Sequence, residues 1–227
     1  MGAHIPMNTE RVLMPTHIDP QFLKIQQWMS PSFPIGSFAY SHGLEWAIET
    51  KHIYNATNLM DWLTDLLETG SAKTDAILVS LAYRSTDIDE LNRIAISLCS
   101  SSERISETTL QGDAFCRILN DVWGDDVSDL VLPIAIGRAA KHHQIDELLA
   151  VSSYLQAFCS NLISVAVRLV PLGQTSGQKV LSALTPLIST IANKALSCQQ
   201  DDLWSNCFLS DVASMRHETL NPRIFKT

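Results

Sequence analysis

The chain has 227 residues, 46% of them hydrophobic, enough to bury one good-sized core without staples. Its net charge of −8 argues against nucleic acid as a partner, because a phosphate-tracking surface needs clustered Lys and Arg to displace counterions. Five cysteines, odd in number and without CxxC spacing, read as small buried hydrophobes in a reducing compartment.

The opening stretch MGAHIPMNTERVLMP has no apolar run of the kind a secretion signal carries, and Pro6 stands where a myristoylation signal needs Ser or Thr. The most apolar run, Leu162 to Leu172, is short for a membrane span and is interrupted by Arg168. These features predict a cytoplasmic protein without a membrane partner. Residues 1–18 are expected to form a flexible segment. Asp19-Pro20 then offers an N-cap followed by proline at the first helical position.

Residues 30–50 read SPSFPIGSFAYSHGLEWAIET: two prolines and a glycine, then a helical pattern with Tyr40, Ser41, His42 and Glu45 near its start. Beyond it, apolar residues recur at the helical period. Leu59, Trp62, Leu63, Leu66 and Leu67 make one stripe; Leu91, Ile94, Ala95 and Leu98 a second, entered through an Asp87/Glu90 capping pair; Val151, Tyr154, Leu155, Phe158, Leu162, Val165 and Leu169 a third. Breaks fall at Ser30–Ser37, Gly70, Ser100–Ser102, Gly124–Ser128 and Pro171–Gly177. The pattern predicts a single all-α domain, a bundle of roughly eight to ten helices.

Local motifs for chemistry are sparse. PLGQTSGQK (Pro171–Lys179) lacks the four-residue glycine spacing and the closing Gly-Lys-Ser/Thr of a phosphate-binding loop, and it reads as a helix stop followed by a glycine-bearing loop. The histidines include no HExxH. The adjacent pair His142 and His143 is expected to diverge across a helix, so no tightly bound metal or cofactor is expected. Ser41 and His42, neighbours on the expected helix, diverge likewise and do not suggest a nucleophile and its base. The end, SMRHETLNPRIFKT (residues 214–227), gathers Arg216, Arg223 and Lys226 with Leu220, Ile224 and Phe225 in an otherwise acidic chain, and it reads as a tail that orders against a partner.

Four stretches in this order, SPSFPIGSFAYSHGLEWAIE, SETTLQGDAF, VAVRLVPLGQTSGQ and SMRHETLNPRIF, closely resemble the UreF family of urease accessory proteins. The resemblance covers the chain from about Phe22 onward. It implies an all-α homodimer without catalysis of its own. Such a protein joins UreD (also called UreH) and the GTPase UreG so that nickel, handled by the complex, reaches apo-urease. By the same resemblance Tyr40, Ser41, Gly43 and Glu45 match a YSxGLE pattern that serves as a capped helix start, a partner contact, or both. Arg168, Gln174 and Gln178 are expected to face UreG. Met215, Arg216, His217, Glu218, Arg223 and Phe225 are expected to dock on UreD, with Arg223 and Phe225 as anchors. This chain departs from the family at Asn221-Pro222, at Gln111 where Met is common, and at Gln144 where many relatives end a helix with glycine. A rival reading is a helical metal-dependent hydrolase whose Asp, Glu and His ligands assemble from several helices; it predicts a stoichiometric metal.

Overall fold

Asp19 and Pro20 open the first helix as the sequence predicts: the Asp19 carboxylate accepts the Gln21 amide at 2.9 Å, and Pro20 fills the first turn, where its missing N–H costs nothing. The computed structural model describes residues 19–227, and the expected flexible segment 1–18 lies outside the described residues. Ten α-helices follow in chain order: α1 (Pro20–Trp28), α2 (Leu44–Glu49), α3 (Ala56–Glu68), α4 (Ser71–Arg84), α5 (Ile88–Ser97), α6 (Ser102–Trp123), α7 (Leu132–His142), α8 (Glu147–Leu169), α9 (Gln174–Ala195) and α10 (Phe208–His217). Short 3-10 turns at Ser37–Ala39 and Gln200–Asp202 complete the set, and no strand is present among the described residues.

The apolar stripes are the core. All five α3 residues of the first stripe are buried, and in the third every residue except Leu169 is. Each such leucine-sized side chain contributes about 1.5–3 kcal/mol by leaving water. The amphipathic α5 commits only Leu91 and Ala95 fully, with Ile94 and Leu98 half-buried, as suits a helix on the outside of the bundle. Asp87 caps it by accepting the Glu90 amide at 3.0 Å. At the centre lies α8, against α4, α7 and α9. Its 23 residues have a mean hydropathy of 1.4 over their most apolar window, long and apolar enough to cross a membrane, yet half of that window is buried inside this body, as expected of a core helix.

Three local features differ from the sequence expectation. The helix foreseen to carry Tyr40 to Glu45 begins only at Leu44, because His42 and Gly43 both take left-handed backbone angles (φ 53° and 75°). The glycine-bearing loop expected at Pro171–Gly177 is shorter: helix resumes at Gln174, and Gly177 sits inside α9, facing α8. A Cβ there would stand 2.9 Å from Val167 Cγ2 and 3.0 Å from Ile163 Cγ2, so the glycine is a packing choice rather than a loop signal. Gln144, standing where relatives use glycine, adopts the left-handed conformation itself (φ 58°) just after α7.

All five cysteines are free thiols. Burial pushes the Cys116 thiol up to about 11 and the Cys159 thiol up to about 12, so these two are inert packing groups, as the sequence suggested.

Candidate functional site

The polar residues of the opening segment and the basic tail meet at one corner of the bundle. After the turn at Ser37–Ala39, Tyr40 runs extended and, past Ser41, His42-Gly43 swing the chain into α2. That turn brings Gly43 against α10 so closely that a Cβ would stand 2.5 Å from the Ser214 nitrogen. Gly43→Ala therefore meets both a strained backbone angle and a backbone clash. An expected loss of about 2–3 kcal/mol, read from the urea midpoint, follows from the two costs.

The tail leaves α10 and returns across this corner. Thr227 presents its carbonyl to Ser41, accepting from the Ser41 amide at 2.6 Å and from the Ser41 hydroxyl as well. Lys226 donates its amide to the Ala39 carbonyl at 2.8 Å. The buried Glu45 carboxylate, on the first turn of α2, accepts the Ile224 amide at 2.7 Å and the Phe225 amide at 2.9 Å. Its Oε2 also faces His217 Nε2 at 3.0 Å. The other nitrogen of His217, a residue with no exposed surface, faces Glu103 at 2.8 Å, and Arg223 donates to the second oxygen of Glu103. One carboxylate on α2 and one on α6 thus hold the tail through backbone, imidazole and guanidinium. Charge-assisted bonds of this kind are worth about 1.5–3 kcal/mol each when buried.

A second polar layer lies beneath. Glu107 on α6 faces His42 Nε2 at 2.9 Å, accepts from Gln111 at 3.0 Å and from the Thr227 hydroxyl at 3.1 Å, and has Arg104 at 3.7 Å. Arg104 in turn donates to Asp75 on α4 at 2.7 Å, and the Tyr154 hydroxyl of α8 donates to the same oxygen at 2.7 Å. Burial works against the charge on Glu107, but His42 and Arg104 beside it hold the carboxyl below its ordinary value. Burial also opposes the Arg104 charge, and Asp75 and Glu107 more than offset it. Burial and the Asp75 charge together push the Tyr154 phenol well above its ordinary value. The departure Gln111 is thereby explained: its amide supplies a donor to Glu107.

The arrangement is suited to holding backbone rather than to chemistry. The Ser41 hydroxyl is committed to the Thr227 carbonyl, and His42 to Glu107. Among the described residues no three His, Cys, Asp or Glu side chains stand close enough to share a metal ion. The expected divergence of His142 and His143 does not hold: α7 ends at His142, and both rings lean toward Asp125, at 3.7 Å and 3.1 Å.

Of the other residues singled out in the sequence, Tyr40 is buried and offers its carbonyl to Asn161 at 3.2 Å. Arg168, at the end of α8, lies with its guanidinium 4.9 Å from the Phe225 ring centre and donates to the Ser164 carbonyl at 3.1 Å. It is thus placed on this chain's own tail. Arg168→Ala is expected to weaken tail docking by about 0.5–1 kcal/mol, raising hydrogen exchange at residues 223–227 without moving the global unfolding midpoint. Gln174 and Gln178 stand exposed on α9 beside a cleft of about 880 Å³ that reaches in to His42, Arg104 and Glu107. Met215, Arg216 and Arg223 are exposed, as is Glu218, whose carboxylate caps α6 by accepting the Ser102 amide at 2.9 Å and hydroxyl at 2.7 Å. These bonds hold Glu218 below its ordinary value.

His217 and Phe225 face inward, so in the chain by itself the aromatic anchor read from the sequence is engaged at home. Outward stand Ile224, 77% exposed, and Phe38, 62% exposed. Asp75, Glu103, Arg104 and Glu107 were missed in the sequence. One signal was present for two of them: Glu103 and Glu107 are like charges one turn apart on α6, a pairing that costs stability unless partners arrive.

A family model described as UreF matches residues 53–185. The urease accessory protein UreF of Ruegeria pomeroyi is 44% identical over 217 residues, covering 94% of this chain and 100% of the relative. That of Roseobacter denitrificans is 43% identical over 223 residues, covering 97% of this chain and 99% of the relative. That of Bradyrhizobium sp. is 39% identical over 227 residues, covering 93% and 95%.

Proposed function

Because the chain belongs to the UreF family of urease accessory proteins, we propose that it is the adaptor that joins UreD and the GTPase UreG for nickel delivery into apo-urease. It serves urease maturation as an accessory protein and not as an enzyme. In this proposal it works in the cytoplasm as a homodimer, nickel is the cargo of the complex, and no cofactor is held tightly by this chain.

One observation carries the reading to particular residues: the tail is clasped to the Tyr40–Glu45 corner, so that two distant segments form one surface. On it Ile224, Met215, Arg216 and Arg223 face outward, mixing apolar and cationic groups as interface centres do. We assign this surface to UreD. Gln174 and Gln178 on α9 are assigned to UreG, and Arg168 acts by positioning Phe225 and the tail behind it. The clasp lowers the cost of binding, because a tail already ordered has less freedom left to lose.

The test is co-expression of the full chain with UreD and UreG of the same source, followed by size-exclusion chromatography with mass detection. A ternary complex containing two copies of this chain is expected. A folded chain that elutes apart from both partners would overturn the adaptor proposal. A stoichiometric metal on the isolated chain, together with hydrolytic activity lost on chelation, would favour the hydrolase in its place.

A further inference from the structure

A relay of three side chains links α1 to the end of α7 and to the α6–α7 connection. Lys24 Nζ lies 2.9 Å from His143 Nδ1, and His143 Nε2 lies 3.1 Å from Asp125 Oδ2. A lysine ammonium can only donate. Nδ1 therefore supplies the lone pair and Nε2 the proton that Asp125 accepts, which fixes His143 as the neutral Nε2–H tautomer. The ring packs edge-on between Trp28 of α1, at 5.3 Å between centres, and Trp123 of α6, at 6.1 Å.

The charged or titratable groups facing it are Lys24 from α1, Asp125 from the α6–α7 connection and His142 from α7. Burial, followed by the charges of Lys24 and His142, outweighs the pull of Asp125 and lowers the His143 pKa from 6.5. The same helix α1 helps wall the large cleft: Ile25, Trp28 and Met29 line it together with Phe158 and Ile163 of α8 and Ile188 of α9.

We propose that α1 is a proton-released wall of this cleft: protonating His143 places an N–H where Lys24 now donates, breaks the link between α1 and α7, and opens the cleft on its α1 side. A neutral histidine is the docked form, and an imidazolium facing an ammonium is the released one. The sign follows from linkage. A lowered pKa means that docked α1 binds the proton less readily than released α1, so the docking contribution is complete above 6.5 and is lost as pH falls through the docked-state value.

The test is hydrogen exchange on the full chain at about pH 8 and about pH 5.5, corrected for intrinsic rates. Opening at residues 20–28 is expected to rise several-fold at the lower pH, with α4 and α8 unchanged. Fluorescence of Trp28 and Trp123, which an adjacent imidazolium quenches, should fall over the same range. His143→Gln, whose amide accepts from Lys24 and donates to Asp125 without titrating, should abolish the pH response; His142→Gln should keep it. Lys24→Met, which removes the opposing charge, should shrink it. A pH-independent α1 in the unaltered chain overturns the proposal, and so does an undiminished response in His143→Gln. Should His143→Gln fail to fold, an undiminished response in Lys24→Met overturns it equally.

Discussion

Replacing Arg104 with methionine is expected to cost the folded body about 3–5 kcal/mol, the usual penalty for removing one partner of a buried ion pair. The guanidinium is nine-tenths buried, and its loss leaves Asp75 with the Tyr154 hydroxyl as its remaining partner. Glu107 fares better, since His42, Gln111 and Thr227 still serve it. Guanidinium chloride unfolding checks this through a lowered midpoint at unchanged slope. The double replacement Arg104→Met with Asp75→Leu removes both charges and should recover part of the loss, because no buried charge is then left alone. Equal stability of the single and the double variants would mean that the guanidinium contributes by packing rather than by pairing.

The second large effect is confined to the tail. Glu45→Ala removes the acceptor of the Ile224 and Phe225 amides and one partner of His217, and should shift tail docking toward release by about 3–5 kcal/mol. Glu45→Gln keeps one carbonyl oxygen and should lie between. Hydrogen exchange at residues 223–227 reports the release, while the amides of α4 and α8 remain protected. Loss of protection throughout the bundle would instead make Glu45 a support of the whole fold.

The helices were legible because they are made by local rules. A stripe such as Leu59 to Leu67 states its own buried face, and Asp19-Pro20 and Asp87 state where a helix begins. What the sequence hid is tertiary. Glu45 and Phe225 are 180 residues apart, so nothing near either one reveals that a carboxylate on α2 will receive the tail's amides. Gly43 could be read as a helix-entry glycine, yet its need comes equally from the backbone of α10 lying against it. The two adjacent pairs were misplaced for one cause: ideal helical geometry was applied past a helix end. His142 and His143 do not diverge because α7 stops between them, and Ser41 and His42 precede α2 altogether. The tail's basic character was visible, and so was its fitness to order against another surface. That the first such surface it meets belongs to its own chain, at Glu45, Glu103 and Glu107, was not.

In the proposed function the tail and the Tyr40–Glu45 corner act on UreD as one preassembled surface. The most direct measurement is the affinity for purified UreD of three proteins: the full chain, its Glu45→Gln variant, and a chain ending at Glu218, which keeps α10 and the α6 cap. The preassembled surface predicts binding that weakens in the variant and is lost in the shortened chain, with helix content unchanged in all three. Equal affinity of the three, each still folded, would contradict it and place the UreD contact on another face of the bundle.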